Sequence, residues 1–148
     1  MATGRDRRDN GGEHEAMLHH ISLGVADLAK AGAFYDAALG ALGYRRVFED
    51  RTAVGYGIHD GEDKLCLKLQ PTARPPGPGF HLAFAAATRE AVAKFHAAGL
   101  GSGGRDNGEP GLRPAYGPNY FAAFLVDPDG HHIEAVTRNL APAPGPAS

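Results

Sequence analysis

The chain holds a single cysteine, Cys66, so no disulfide can form within it, and a lone thiol suits a reducing compartment. No apolar run approaches the roughly 20 residues that a membrane-spanning helix needs. The first ten residues, Met1 to Asn10, lack the apolar centre of a secretory signal, and a cytoplasmic location is the expectation. Charge of one sign is scarce as well. Lys and Arg number 15 against 17 Asp and Glu, a formal net charge of -2, with no sustained basic or acidic run in the folded part. A nucleic-acid partner would have no electrostatic footprint to use. With 148 residues there is room for one compact unit or two small fused repeats, not two large domains. What the chain does have in excess is histidine, eight in all.

Residues 1–16 are polar and aperiodic and read as a flexible extension. From Met17 a strand pattern follows: Ile21, Leu23 and Val25 point one way, His20, Ser22 and Gly24 the other. Asp27 stands where a helix N-cap belongs, and Leu28, Ala31, Phe34, Tyr35, Ala38 and Leu39 follow at helical spacing up to Gly40 and Gly43. Short strands are predicted near 44–49, 52–58 and 64–70, the last two joined around Asp60-Gly61. The segment 71–79, with four prolines, reads as a stiff linker.

After the linker the pattern returns at an offset of 61 residues. His20 maps to His81, Asp27 to Thr88, Phe34 to Phe95, Leu39 to Leu100, and Gly40 to Gly101. A strand, a cap, a helix and a glycine exit therefore recur in register, which marks an internal duplication. A glycine- and proline-rich loop (101–117) is predicted next, then a strand from Asn119 to Val126. Asp127-Pro128-Asp129-Gly130 reads as a type I turn into a final strand that carries Glu134. Residues 141–148 read as a low-complexity tail. The expected class is α+β: two tandem units, each of one strand, one helix and three strands, over 17–70 and 80–140.

If Ile21, Leu23, Leu82, Phe84, Ile133 and Ala135 face the helices, then His20, His81 and Glu134 share the opposite face. Singly, each has an ordinary reading as a hydrogen-bonded or solvated side chain. Together, two imidazoles and a carboxylate suit a divalent transition metal with positions left open for water or substrate. Tyr120, in step with Ala122 and Phe124, would line the same face. Arg113 and Tyr116 lie on the preceding loop, where an arginine could clamp an anionic substrate. His132 is expected behind the ligands, and His59, His96 and His131 on the surface or a helix face.

The run His20-Ile-Ser-Leu-Gly-Val-Ala-Asp27, then Phe34-Tyr35, Leu39-Gly40, His81-Leu-Ala-Phe84 and Asp127-Pro-Asp-Gly130 with Glu134, resembles the vicinal oxygen chelate superfamily. That group includes glyoxalase I, fosfomycin-modifying thiol transferases, extradiol dioxygenases and bleomycin-resistance proteins. The resemblance covers about Met17 to Arg138 and implies paired βαβββ modules around a cupped, mostly antiparallel sheet with helices outside. It also implies His20, His81 and Glu134 as metal ligands (Zn, Mn, Ni or Fe), a small-molecule substrate and a homodimer.

The departures narrow the expectation. Glyoxalase I takes a further glutamate from its fourth strand, and here Cys66 has the matching parity, most simply as a small buried thiol. Phe124 stands where extradiol dioxygenases and the fosfomycin transferases carry tyrosine. Ser22 falls where those transferases have a hydroxyl two residues after the first ligand. The expectation is thus a metal-dependent lyase, isomerase or thiol transferase, with Glu134, Ser22 and Tyr120 as candidate catalytic residues. Cys66, Arg113, Tyr116 and Phe124 are candidate pocket residues. The alternative is a metal-free drug- or metabolite-binding protein of the bleomycin-resistance type, with ring cleavage a more distant third.

Overall fold

The computed structural model describes residues 16–140. All but one residue of the extension expected at 1–16, and the whole tail at 141–148, lie outside that range. The chain runs β1 (Ile21–Val25), α1 (Leu28–Gly40), β2 (Arg45–Glu49), β3 (Ala53–Gly57) and β4 (Leu65–Leu69). It repeats as β5 (Leu82–Ala85), α2 (Arg89–Leu100), β6 (Arg105–Leu112), a 3-10 turn (Pro114–Tyr116), β7 (Phe121–Val126) and β8 (His132–Thr137). Each unit forms its own four-stranded sheet, ordered β1-β4-β3-β2 and β5-β8-β7-β6. Within each sheet the first pair is parallel and the other two are antiparallel, giving the α+β tandem-module architecture.

Both helices begin on the caps that the sequence places there. The Asp27 carboxylate accepts from the Lys30 amide at 2.9 Å, and the Thr88 hydroxyl from the Ala91 amide at 3.1 Å. Either contact satisfies a donor that the first helical turn leaves free and is worth about 1 kcal/mol. The helices bury Phe34, Tyr35 and Leu39 from α1, and Val92 and Phe95 from α2, in one core with Leu23, Leu67, Leu125 and Ile133. Gly99 lets them approach: a Cβ there would run into Leu125 and stand 3.2 Å from the Phe34 ring.

Several local expectations are corrected. The predicted loop at 101–117 contains β6, an edge strand paired with β7 through register shifts at Asp106/Gly108 and Gly108/Gly111. Glycine and proline there mark bulges on a sheet edge, where a missing N–H costs no ladder bond. The strand expected from Asn119 starts at Phe121, and the three short strands of the first unit lose a residue at one or both ends.

His96 lies on a face of α2, as one of the two expectations had it, but that face is buried (7% exposed), and His131 is not a surface residue (2% exposed). Each is buried against a carboxylate that the local pattern does not announce, Asp106 for His96 and Asp127 for His131, both at 2.9 Å. The second pair belongs to a clasp between the modules. Buried Asp127 accepts from the Tyr35 hydroxyl of α1 at 2.6 Å and from the amides of Asp129 and His131 at 2.9 and 2.8 Å. Asp129 in turn accepts from the Ala26 amide at 2.8 Å, so the β7–β8 turn is fastened to the start of α1. Burial alone would raise the Asp127 pKa, but hydrogen bonds from His131 and Tyr35 outweigh it and hold the carboxyl low. Burial would likewise lower His131, yet the bond and charge of Asp127 hold it high. Burial, reinforced by Asp127, raises Tyr35 well above the usual phenol range.

Candidate active site on the second module

Alternation along β8 turns Ile133 and Ala135 into the core and Glu134 to the opposite face. Across the ladder Glu134 sits between Ala83 of β5 and Phe124 of β7. Although it faces away from the helices, Glu134 is only 1% exposed. A carboxylate so enclosed needs partners, since an unpaired buried charge is costly. It has two. His81, just ahead of β5, brings Nε2 to 3.0 Å from Glu134 Oε1, and the Tyr120 hydroxyl donates to Oε2 at 2.5 Å.

Burial, and then the bond to Glu134, push the Tyr120 pKa up to about 12. At neutral pH Tyr120 is therefore a fixed donor that holds one carboxylate oxygen and leaves the other toward His81. The His81 side chain is 54% exposed, so the pair opens to solvent on that side.

Around this centre lie the other expected pocket residues of the second module. The Tyr116 ring centroid is 5.3 Å from that of Tyr120, and the Arg113 guanidinium lies 5.3 Å over the Phe124 ring. Arg138, missed from the sequence, stands 5.8 Å over the Tyr120 ring. It follows Glu134 by four positions and stands one residue past the end of β8.

Ser22 and Cys66 pair with each other across β1 and β4 of the first sheet. Cys66 is 7% exposed, and its thiol is pushed up, first by burial and then by Asp63. His20 is exposed at the start of β1, its Nδ1 2.9 Å from Nδ1 of His19. It lines a groove of about 440 Å³ between the modules, with Ile21, Tyr44, Leu82 and Phe84. Among the described residues, both strands beside that groove have one open edge, since β1 pairs only with β4 and β5 only with β8.

The donor chemistry of His81 and Glu134 fits a divalent ion. Nitrogen and oxygen ligands about 2.0–2.2 Å from one metal stand about 3–3.5 Å apart, so this pair, hydrogen-bonded at 3.0 Å, needs only a small shift to share an ion. A third protein ligand does not join them in one chain: no three His, Cys, Asp or Glu side chains form a metal-holding group among the described residues. No helix among them is long and apolar enough to cross a membrane.

A sequence model of the Glyoxalase/Bleomycin resistance protein/Dioxygenase superfamily matches residues 17–135. The chain belongs to this superfamily. A glyoxalase/bleomycin resistance protein from Albidiferax ferrireducens T118 shares 32% identity, covering 82% of this chain and 98% of its own, with a TM-score of 0.71. A glyoxalase-related enzyme from Fulvimarina pelagi superposes with a TM-score of 0.64 at 23% identity over 81% of this chain and 86% of its own. A glyoxalase I variant from Zea mays does so with 0.63 at 22% identity, over 80% of this chain and 46% of that one. These last two likenesses are of fold. No curated protein matches the chain significantly. The chain sets a buried glutamate of β8 against a histidine just ahead of β5.

Proposed function

We propose that the protein is a divalent-metal-dependent lyase, isomerase or thiol transferase acting on a small oxygenated substrate, and that Glu134 anchors its site. The observation that carries this reading is a carboxylate 1% exposed yet shared between an imidazole and a phenol on the face away from the core. Such an arrangement is costly to bury and contributes little to packing, which is the signature of a functional group. His81 and Glu134 would hold the ion, and His20 would be the third ligand.

Because His20 stands apart from that pair within one chain, the reading includes a homodimer in which a second copy brings its β1 edge to the open edge of β5. When bound, the ion supplies Lewis-acid stabilisation of negative charge developing on a substrate oxygen. Tyr120 keeps Glu134 oriented, Phe124 walls the site on the β7 side, and the exposed flank of His81 admits substrate. Ser22 and Cys66 enter such a site only with the β1 edge that carries His20. The absence of a disulfide agrees with a cytoplasmic location.

A second reading keeps the fold without the ion: a binder of drugs or metabolites, favoured by the apolar groove of about 440 Å³ between the modules. Elemental analysis of protein purified without chelators separates the two. One transition-metal ion per chain in the wild type, lost in Glu134→Ala, supports the enzyme. No metal in either supports the binder.

A further inference from the structure

The arginine above Phe124 is held in an unusual way. Arg113 donates from Nη2 to the Glu109 carbonyl at 2.6 Å and from Nη1 to the Leu112 carbonyl at 3.4 Å. No acidic side chain pairs with it among the described residues. Its guanidinium lies in a cradle left by two glycines of β6. A Cβ at Gly108 would come to 3.2 Å of Nη2 and 2.9 Å of the Phe124 ring, and one at Gly111 to 3.2 Å of Nη1. The bulges that interrupt β6 fall at these glycines. A cation–π contact with the Phe124 ring, 5.3 Å from its centroid, adds to the hold on the group.

The cradle therefore orients a permanent cation without neutralising it. It leaves most of the five N–H donors of the guanidinium free. Phe124 is the direct cross-strand neighbour of Glu134, so the cation stands one side chain from the proposed ion site.

We infer that Arg113 determines specificity at this site by receiving a carboxylate that the substrate carries beyond the oxygens engaged at the Glu134 end. This rests on the function proposed above for Glu134 and adds the substrate class: small acids with a second, distal carboxylate. A carboxylate fits better than a phosphate monoester, because the single cation balances one carboxylate charge, whereas the ester carries about −1.5 to −2. Glu134 repels anions close by, so discrimination between one and two carboxylates falls to the residue that offers the positive charge.

The test compares L-malate with L-lactate, which share a hydroxy-carboxylate end and differ in the distal carboxylate. Both are titrated calorimetrically into protein purified without chelators. The wild type is expected to prefer malate by about tenfold, the scale of one charge-assisted hydrogen-bonded pair. Arg113→Gln should remove that preference, bringing the two acids to equal affinity. Arg113→Lys should restore only part of it, since the charge returns without the fork, and Gly111→Ala should weaken malate alone by displacing Nη1. Circular dichroism confirms folding of each variant. A wild type without preference, or an Arg113→Gln protein that keeps it, overturns the inference. Glu134→Gln addresses the underlying reading separately, because it should weaken both acids by the same factor. If it changes neither while Arg113→Gln still abolishes the preference, the metal reading fails and the role of Arg113 stands.

Discussion

Replacing Asp127 with asparagine tests whether the clasp between the modules is an ionic one. The carboxylate is 2% exposed and takes four hydrogen bonds, from Tyr35, His131 and the amides of Asp129 and His131. Asparagine keeps the size and can still accept from the two amides, but it presents an N–H₂ where Tyr35 and His131 need an acceptor. Breaking one partner of a buried ion pair costs about 3–5 kcal/mol. With the turn bonds retained, the lower end applies, about 3 kcal/mol, or a fall in Tm of about 10 °C for a domain of this size.

The pH dependence supplies a signature that generic destabilisation lacks. His131 is raised in the folded protein, so its contribution is complete below the unfolded histidine pKa and is lost as pH rises through the folded value. Asp127 is lowered, so its share is present above the unfolded aspartate pKa and is lost only on acidification below it. In Asp127→Asn the imidazole keeps its burial and loses its counter-charge, so its folded pKa falls and the sign reverses. Urea unfolding followed by far-ultraviolet circular dichroism at pH 5.5 and pH 8 reads both. The gap between wild type and variant should be wider at the lower pH. A loss below about 1 kcal/mol, or a gap that does not change with pH, would refute the ionic account.

Other consequences follow from single contacts. Tyr120→Phe removes one of the two partners of the buried Glu134 carboxylate, so it should cost about 1–3 kcal/mol in urea unfolding and weaken divalent-ion affinity about 10- to 100-fold, measurable by calorimetry. Gly99→Ala places a methyl against Leu125 and Phe34, and the overpacking should cost about 1–3 kcal/mol in urea despite the better helix propensity of alanine. Cys66, buried and with its thiol pushed up, should react with iodoacetamide at pH 8 far more slowly in native protein than in denaturant.

The repeat was legible because both modules obey the same local rules: Asp27 and Thr88 cap the helices, and the core residues Phe34 and Phe95 keep the offset of 61. Strand parity put Glu134, Tyr120 and Phe124 on one face, since period-two alternation survives whatever packs above it. What stayed hidden was set by distant partners. The partner of His131, Asp127, is four residues away, but that pair is closed over by Tyr35 from the other module, and His96 meets Asp106 across a helix exit. The edge strand β6 was hidden by its own glycines and proline, which read as loop until β7 lies beside them. Parity also says which face a residue occupies but not which module lies opposite. That is why His81 and Glu134 meet within one chain while His20 lines another groove.

The most direct test of the account is a calorimetric titration of Mn²⁺ or Zn²⁺ into metal-stripped wild type, Glu134→Gln and His20→Ala. One ion should bind per wild-type chain, with affinity at least about 100-fold weaker in each variant, since each loses a ligand. A wild type that binds neither ion, or a Glu134→Gln protein that binds as well as the wild type, would contradict it.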